Sequence, residues 1–170
     1  NALVLEDCLD VAATGNTFVR GDRGAVVTGS SAIVFAANSL QYMQVGVNLW
    51  GSSNVLVSAN NVTGGDIGVW LQDYGSPVSN VTINGNDVWS PRTLGMEFAA
   101  TRGLTVTNNR ITGPWAGMRI QSSDSVLVQA NTLTSTTNEG IGVTGSSSVN
   151  VTANVVSQVS DGVGLYFRWS

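Results

Sequence analysis

Three residues with reactive or recognition chemistry recur at wide, near-regular intervals: Trp70, Glu97 and Arg119, with Asn48 standing 22 residues before Trp70. Two residues beyond each come Trp50, Gln72, Ala99 and Gln121. Indoles flanked by amides, a carboxylate and a guanidinium suit a sugar. The apolar face of a pyranose stacks on an indole while its hydroxyls meet the polar groups. Asp73 and Tyr74, directly after Gln72, would border such a patch. The expected carbohydrate-binding set is therefore Asn48, Trp50, Trp70, Gln72, Asp73, Tyr74, Glu97, Arg119 and Gln121. The bland alternative is an ordinary Glu97–Arg119 surface ion pair, of small energetic value, with Trp50 and Trp70 packed under a loop. A second constellation is Glu139 and Asp161, each immediately before a glycine. Carboxylates held close together raise one pKa or recruit a cation, so the two form a secondary acidic-pair candidate. No metal site and no cofactor are expected.

The composition removes several chemistries. The chain has 170 residues, no His and no Lys. Without His there is no His-dependent triad and no His-containing zinc site. Seven Arg against eleven acids leave a net charge of -4, which argues against nucleic acid as a partner. Only 11% of the residues are charged, against a usual quarter, whereas Gly, Ser, Thr and Asn account for 71 of the 170. Low net charge with a high β-branched content argues against intrinsic disorder.

For residues so far apart to meet, the chain must fold back on itself at a fixed period. It does have one. Asn16, Asn38, Asn60, Asn86, Asn109, Asn131 and Asn154 follow one another at 22, 22, 26, 23, 22 and 23 residues. Each stands two residues before an apolar residue, from Phe18 to Val156, and one after a small or short residue. Five and three residues before each Asn come apolar pairs such as Val55 and Val57, or Leu104 and Val106. Eight to nine residues after each Asn comes a glycine: Gly24, Gly46, Gly68, Gly95, Gly117, Gly140 and Gly162. Each glycine opens an apolar-x-apolar triplet, such as Val69-Trp70-Leu71, and Leu3-Val4-Leu5 fits the same slot. The middle residues of these triplets, from Val4 to Gly164, are expected to point outward.

A leucine-rich repeat shares the asparagine and the period. It fails at the slot eight residues before the Asn, which reads Cys8, Ser30, Ser52, Val78, Thr101, Ser123 and Ser146 instead of Leu. The segment after each Asn carries Gly, Thr, Pro and Val, poor helix formers. Three short alternating stretches per period, rich in β-branched residues, describe three strands per turn. The pattern resembles the right-handed parallel β-helix superfamily, which includes pectate lyases, polygalacturonases, mannuronan epimerases and phage tailspikes. The expected fold is all-β, a single-stranded right-handed solenoid of about seven turns covering residues 1–170 as one domain. The recurrent Asn is expected at a left-handed or bridge bend and in a stacked amide ladder. The recurrent Gly is expected at a bend that admits no side chain.

Function in a solenoid concentrates where the repeat is interrupted. Gly68 to Asn86 is four residues longer than the other such intervals, and the excess falls in Gln72-Asp73-Tyr74-Gly75-Ser76-Pro77. The resemblance implies that the groove along the triplet strands binds polysaccharide. Asp161-Gly-Val-Gly-Leu is similar to the Asp-Gly-Ile-Asp-Leu strand of polygalacturonases, with Gly164 in place of the second acid. The epimerase Asp-Pro-His-Asp motif has no counterpart here. If the chain is an enzyme, the implied activity is polysaccharide lyase- or glycoside hydrolase-like, with no catalytic residue identified.

The expected function is a polysaccharide-binding or polysaccharide-processing module, extracellular or on a cell surface. The alternative is a rigid spacer or filament subunit, stacking end to end or as a homo-oligomer through uncapped turns. Those ends suggest a segment of a longer solenoid. No stretch is apolar enough to insert in a membrane, and Cys8 alone cannot form an intrachain disulfide. Asn61, Asn80 and Asn150 each begin an Asn-Val-Thr sequon, which a chain rich in these residues also generates by chance.

Overall fold

The computed structural model describes residues 1–169, and among them the regular structure is entirely β-strand. The chain winds through three faces per turn. Strands of the triplet face are Leu3–Glu6, 25–28, 47–50, Ile67–Gln72, Leu94–Ala99, Ala116–Gln121, Glu139–Thr144 and Val163–Arg168. A second face carries Leu9–Thr14, Ser31–Ala36, Ser53–Ser58, Val78–Asn84, Thr101–Thr107, Asp124–Gln129 and Ser147–Thr152. Short strands just after each recurrent Asn, such as Asp87–Trp89 and Arg110–Thr112, form the third. In the first turns this third strand runs on into the triplet strand, as in Ser39–Trp50. Every pairing is parallel and joins equivalent strands of adjacent turns, about 4.8 Å apart. Eight triplet strands enclose about seven full coils, in line with the expected count.

The alternating pattern does what its period dictates. Val55, Val81, Leu104 and Val126 stack in register, as do Leu40, Val62, Val88, Ile111 and Leu133 on the third face. These residues belong to one hydrophobic column running along the axis. Burial of such a side chain stabilises by roughly 1.5–3 kcal/mol.

The recurrent asparagines form the expected ladder, but the bend belongs to their neighbours. Positive φ falls on Gly15, Ala37, Ala59, Gly85, Asn108, Ala130 and Ala153, the residue before each Asn. The smallness of that position is the backbone signal. Each Asn instead turns its amide inward: Asn86 Oδ1 accepts from Asn60 N at 3.0 Å and Asn60 Nδ2 at 2.9 Å. Asn86 Nδ2 donates to Asn109 Oδ1 and to the Val57 carbonyl, both at 2.9 Å. The same set of bonds recurs up the stack from Asn16 to Asn154.

A second ladder occupies the slot that excluded a leucine-rich repeat. Ser30 Oγ accepts from Cys8 N, Ser52 Oγ from Ser30 N, Ser123 Oγ from Thr101 N and Ser146 Oγ from Ser123 N. Val78 interrupts it at the long loop, where a buried aliphatic side chain replaces the hydroxyl. The glycine column lies within strands with no positive φ. Its reason is close packing: a Cβ on Gly95 would stand 2.5 Å from the Gly117 carbonyl oxygen and 2.5 Å from Ile111 Cγ2.

The last turn departs from the expected register by two residues. Glu139 pairs with Val163 and Gly142 with Tyr166, so Gly164, not Gly162, continues the glycine column. A Cβ on Gly140 would meet the Gly164 carbonyl at 2.4 Å, as the earlier glycines meet theirs. The outward column therefore ends on Tyr166, and Asp161 does not lie above Glu139 in the ladder.

Candidate functional site

Register alone assembles the centre of the site. Asn48 pairs with Trp70, Trp70 with Glu97, Glu97 with Arg119, and Arg119 with Gly142. Trp70, Glu97 and Arg119 are half-buried, so they present a surface with partial shielding from water. Burial pushes the Glu97 carboxyl above the ordinary 4.5; the Arg119 charge and a hydrogen bond with the Trp70 side chain oppose it without cancelling it. Gln121 follows on the same strand and, with Arg119, Glu139, Gly142 and Thr144, lines a shallow cleft of about 170 Å³.

Arg119 pairs with Glu139, not with Glu97 as the sequence suggested. Glu139 begins its strand three residues before Gly142, and its carboxylate lies over that glycine, where a Cβ would stand 2.7 Å from Oε2. The absent side chain at Gly142 makes the room. Trp115 completes the cluster, its ring centre 5.0 Å from the Arg119 guanidinium carbon. At 45% exposure this indole leaves much of its surface to solvent. Trp115 and Gly142 were missed because one lies in the loop before its strand and the other matters by lacking a side chain.

Several expected members fall elsewhere. Asn48 is fully buried despite its outward position, and its Nδ2 donates to the Trp70 carbonyl at 3.0 Å. It supports the strand and cannot reach a ligand. Trp50 is clamped between Tyr74, edge-on at 5.2 Å, and the Arg23 guanidinium, 4.9 Å from its ring. Register sets Arg23 opposite Val45 and Trp50 opposite Thr28, so these two side chains meet only by lying along the face between them. That accounts for the burial of Val26 and Asn48. The packing alternative thus holds for Trp50. Trp50 and Tyr74 line a cleft of about 190 Å³ at the loop base. Gln72 is half-buried, its Oε1 without a partner.

Asp73 faces another way. Its Oδ1 accepts from Gly75 N at 2.6 Å, closing the loop's own turn, and it lines a corner cleft of about 300 Å³ with Arg102 and Asp124. The Asp124 carboxyl is held below the ordinary range chiefly by the Ser147 hydroxyl, then by Ser125. Glu139 and Asp161 line one cleft of about 360 Å³, but Glu139 is committed to Arg119 and Asp161 is exposed. Among the described residues no group of three or more His, Cys, Asp or Glu gathers where a metal could bind.

The family described as "Right handed beta helix region" matches residues 1–88 and 45–168. No significant match exists among curated protein sequences. Among solved structures, the periplasmic alginate epimerase AlgG (D317A mutant) is similar with a TM-score of 0.74 at 15% identity. The match covers 98% of this chain and 46% of that one, so this chain spans under half the epimerase's length. An alginate lyase from Paenibacillus sp. str. FPU-7 matches at 12% identity and TM-score 0.62, over 94% of this chain and 74% of that one. A polygalacturonase from Erwinia carotovora ssp. carotovora matches at 16% and 0.54, over 95% and 56% respectively. At such identities the likeness shows the fold alone.

Proposed function

The chain belongs to the right-handed β-helix family, and on that premise we propose that it is a polysaccharide-binding or polysaccharide-processing module whose triplet face carries the glycan. The observation that carries this reading is the half-exposed column Trp70–Glu97–Arg119, extended by Glu139, Gln121 and Trp115. Two indoles offer stacking surfaces, and the polar groups between them both donate and accept hydrogen bonds. A carboxyl protonated to higher pH than usual adds a donor under mildly acidic conditions. The ladders and the apolar column account for the stacking of turns without this cluster. A spacer needs that column and those ladders; it does not need the Trp70–Glu97–Arg119 cluster. The structural neighbours named for alginate epimerisation, alginate lysis and polygalacturonase activity support a polysaccharide partner. An extracellular or cell-surface location is the matching proposal for a protein meeting such a polymer.

Calorimetric titration of the protein with oligomers of alginate and polygalacturonate tests this reading. Saturable binding by at least one polymer, weakened tenfold or more in Trp70→Ala, is the expected result. No binding by any polymer, or equal binding by the variant, removes the site.

A further inference from the structure

On the corner before the triplet face, away from the Glu97 column, a cleft of about 480 Å³ opens between the third and triplet strands. Its volume lies within the roughly 300–1,000 Å³ of small-molecule sites. Tyr42, Gln44, Gly64, Gly65, Asp66 and Arg92 define it. We propose that this cleft is a second glycan site, built to hold one neutral hexopyranose unit against the Tyr42 ring.

Tyr42 is the first reason. It is 60% exposed, so it adds little to the core, yet it occupies a backbone position at φ 56°. That backbone belongs to the repeat, because the same corner has positive φ in all seven turns, from Arg20 to Gln158, so what sets Tyr42 apart is the exposed ring it places there. The equivalent position one turn on is Gly64, and a Cβ there would lie 2.9 Å from Tyr42 Cδ1. The ring therefore rests against bare backbone and still leaves most of its surface to solvent. A ring resting on backbone in this way offers its open face as a stacking platform for the C–H face of a sugar.

The floor is the second reason. Gly65 has φ 88°, and a Cβ on it would fall 1.7 Å from the Met43 carbonyl oxygen, so only glycine fits. Asp66 N donates to the Gln44 carbonyl at 2.9 Å. The Asp66 carbonyl accepts from Thr93 N at 3.0 Å, Leu94 N at 3.1 Å and Thr93 Oγ1 at 2.7 Å. The segment is anchored before any ligand arrives, which lowers the ordering cost of binding.

Charge selects the ligand. The Arg92 guanidinium, largely exposed at the cleft's rim, meets the Asp66 carboxylate at 2.7 Å, so the cation there is already paired. An acidic sugar finds no unpaired cation among the six residues, whereas hydroxyls find carboxylate, amide and guanidinium partners. The pairing favours a neutral pyranose over a uronate.

The test uses the whole chain with cellohexaose, mannohexaose and xylohexaose as neutral probes and trigalacturonate as the acidic one, followed by NMR or calorimetry. At least one neutral hexamer is expected to bind saturably. Tyr42→Ala should weaken it at least tenfold, Tyr42→Phe should keep it within about threefold, and Trp70→Ala should leave it unchanged. A thermal melt of Tyr42→Ala equal to that of the parent shows that the loss is local; Arg92→Gln, which unpairs Asp66, gives a second variant with an expected weakening of the same probe. No neutral hexamer bound, Tyr42→Ala binding as well as the parent, or trigalacturonate competing at the Tyr42 site overturns the proposal.

Discussion

Replacing Asn86 by Ala and, separately, by Gly separates two explanations of the repeat. If the asparagine were present for its tolerance of left-handed backbone, Gly would serve as well or better. The positive φ is on Gly85, however, and Asn86 is 1% exposed with its amide in the ladder. Either substitution removes the acceptor of Asn60 N and the donor to the Val57 carbonyl. A buried polar group left unpaired costs about 1–3 kcal/mol, so two such groups predict a loss of roughly 2–6 kcal/mol. Glycine adds about 0.5–1 kcal/mol of backbone entropy to that. Asn16 occupies the exposed first rung, and its substitution should cost under about 1 kcal/mol. Urea unfolding followed by circular dichroism reads these differences as midpoint shifts at constant slope. A loss below about 1 kcal/mol at Asn86, a neutral Asn86→Gly, or equal losses at Asn16 and Asn86 would refute the ladder as the source of stability.

Other consequences follow from the packing and from Glu97. Gly95→Ala forces a methyl onto the Gly117 carbonyl and Ile111 and should destabilise by about 1–3 kcal/mol in thermal melts, with no gain from its better strand propensity. Tyr74→Ala removes the edge-on partner of Trp50 and should cost about 0.5–1.5 kcal/mol while changing tryptophan fluorescence. The Glu97 carboxyl has a folded pKa above its ordinary 4.5, so the native state binds this proton more tightly than the unfolded chain. Its contribution to stability is therefore greatest below 4.5 and falls as pH rises through the folded pKa. Glu97→Gln should stabilise relative to the parent at neutral pH, with the difference disappearing in acid. NMR titration of the parent should place the Glu97 midpoint above 4.5, and Arg119→Gln should raise it further, because the cation is the main opposing influence.

The fold was legible because period and burial coincide. A 22-residue repeat with inward apolar pairs leaves few other ways to cover the same side chains, and the triplet spacing put Trp70, Glu97 and Arg119 in one column. Less accessible were effects that depend on reach instead of register. Glu139 bends over Gly142 to take Arg119, which a count of outward positions cannot show. Trp50 leans back toward Arg23 and seals Asn48 beneath it. The register of the last turn slipped because the loop before Val163 is two residues longer than spacing to Gly162 implied, and Gly162 and Gly164 both satisfy a one-glycine rule. The serine ladder could have been read from Ser30, Ser52, Ser123 and Ser146, whose hydroxyls mark a buried polar slot.

The most direct test of the triplet-face reading is the indole N–H spectrum of the protein during titration with an alginate or polygalacturonate oligomer that it binds. Trp70 and Trp115 lie at the Glu97–Arg119 cluster, whereas Trp89 is on the third face beside Arg110. The account predicts saturable shifts of the Trp70 and Trp115 signals at one common affinity, with Trp89 unmoved. Shifts confined to Trp89, or binding that leaves Trp70 and Trp115 unchanged, would contradict it.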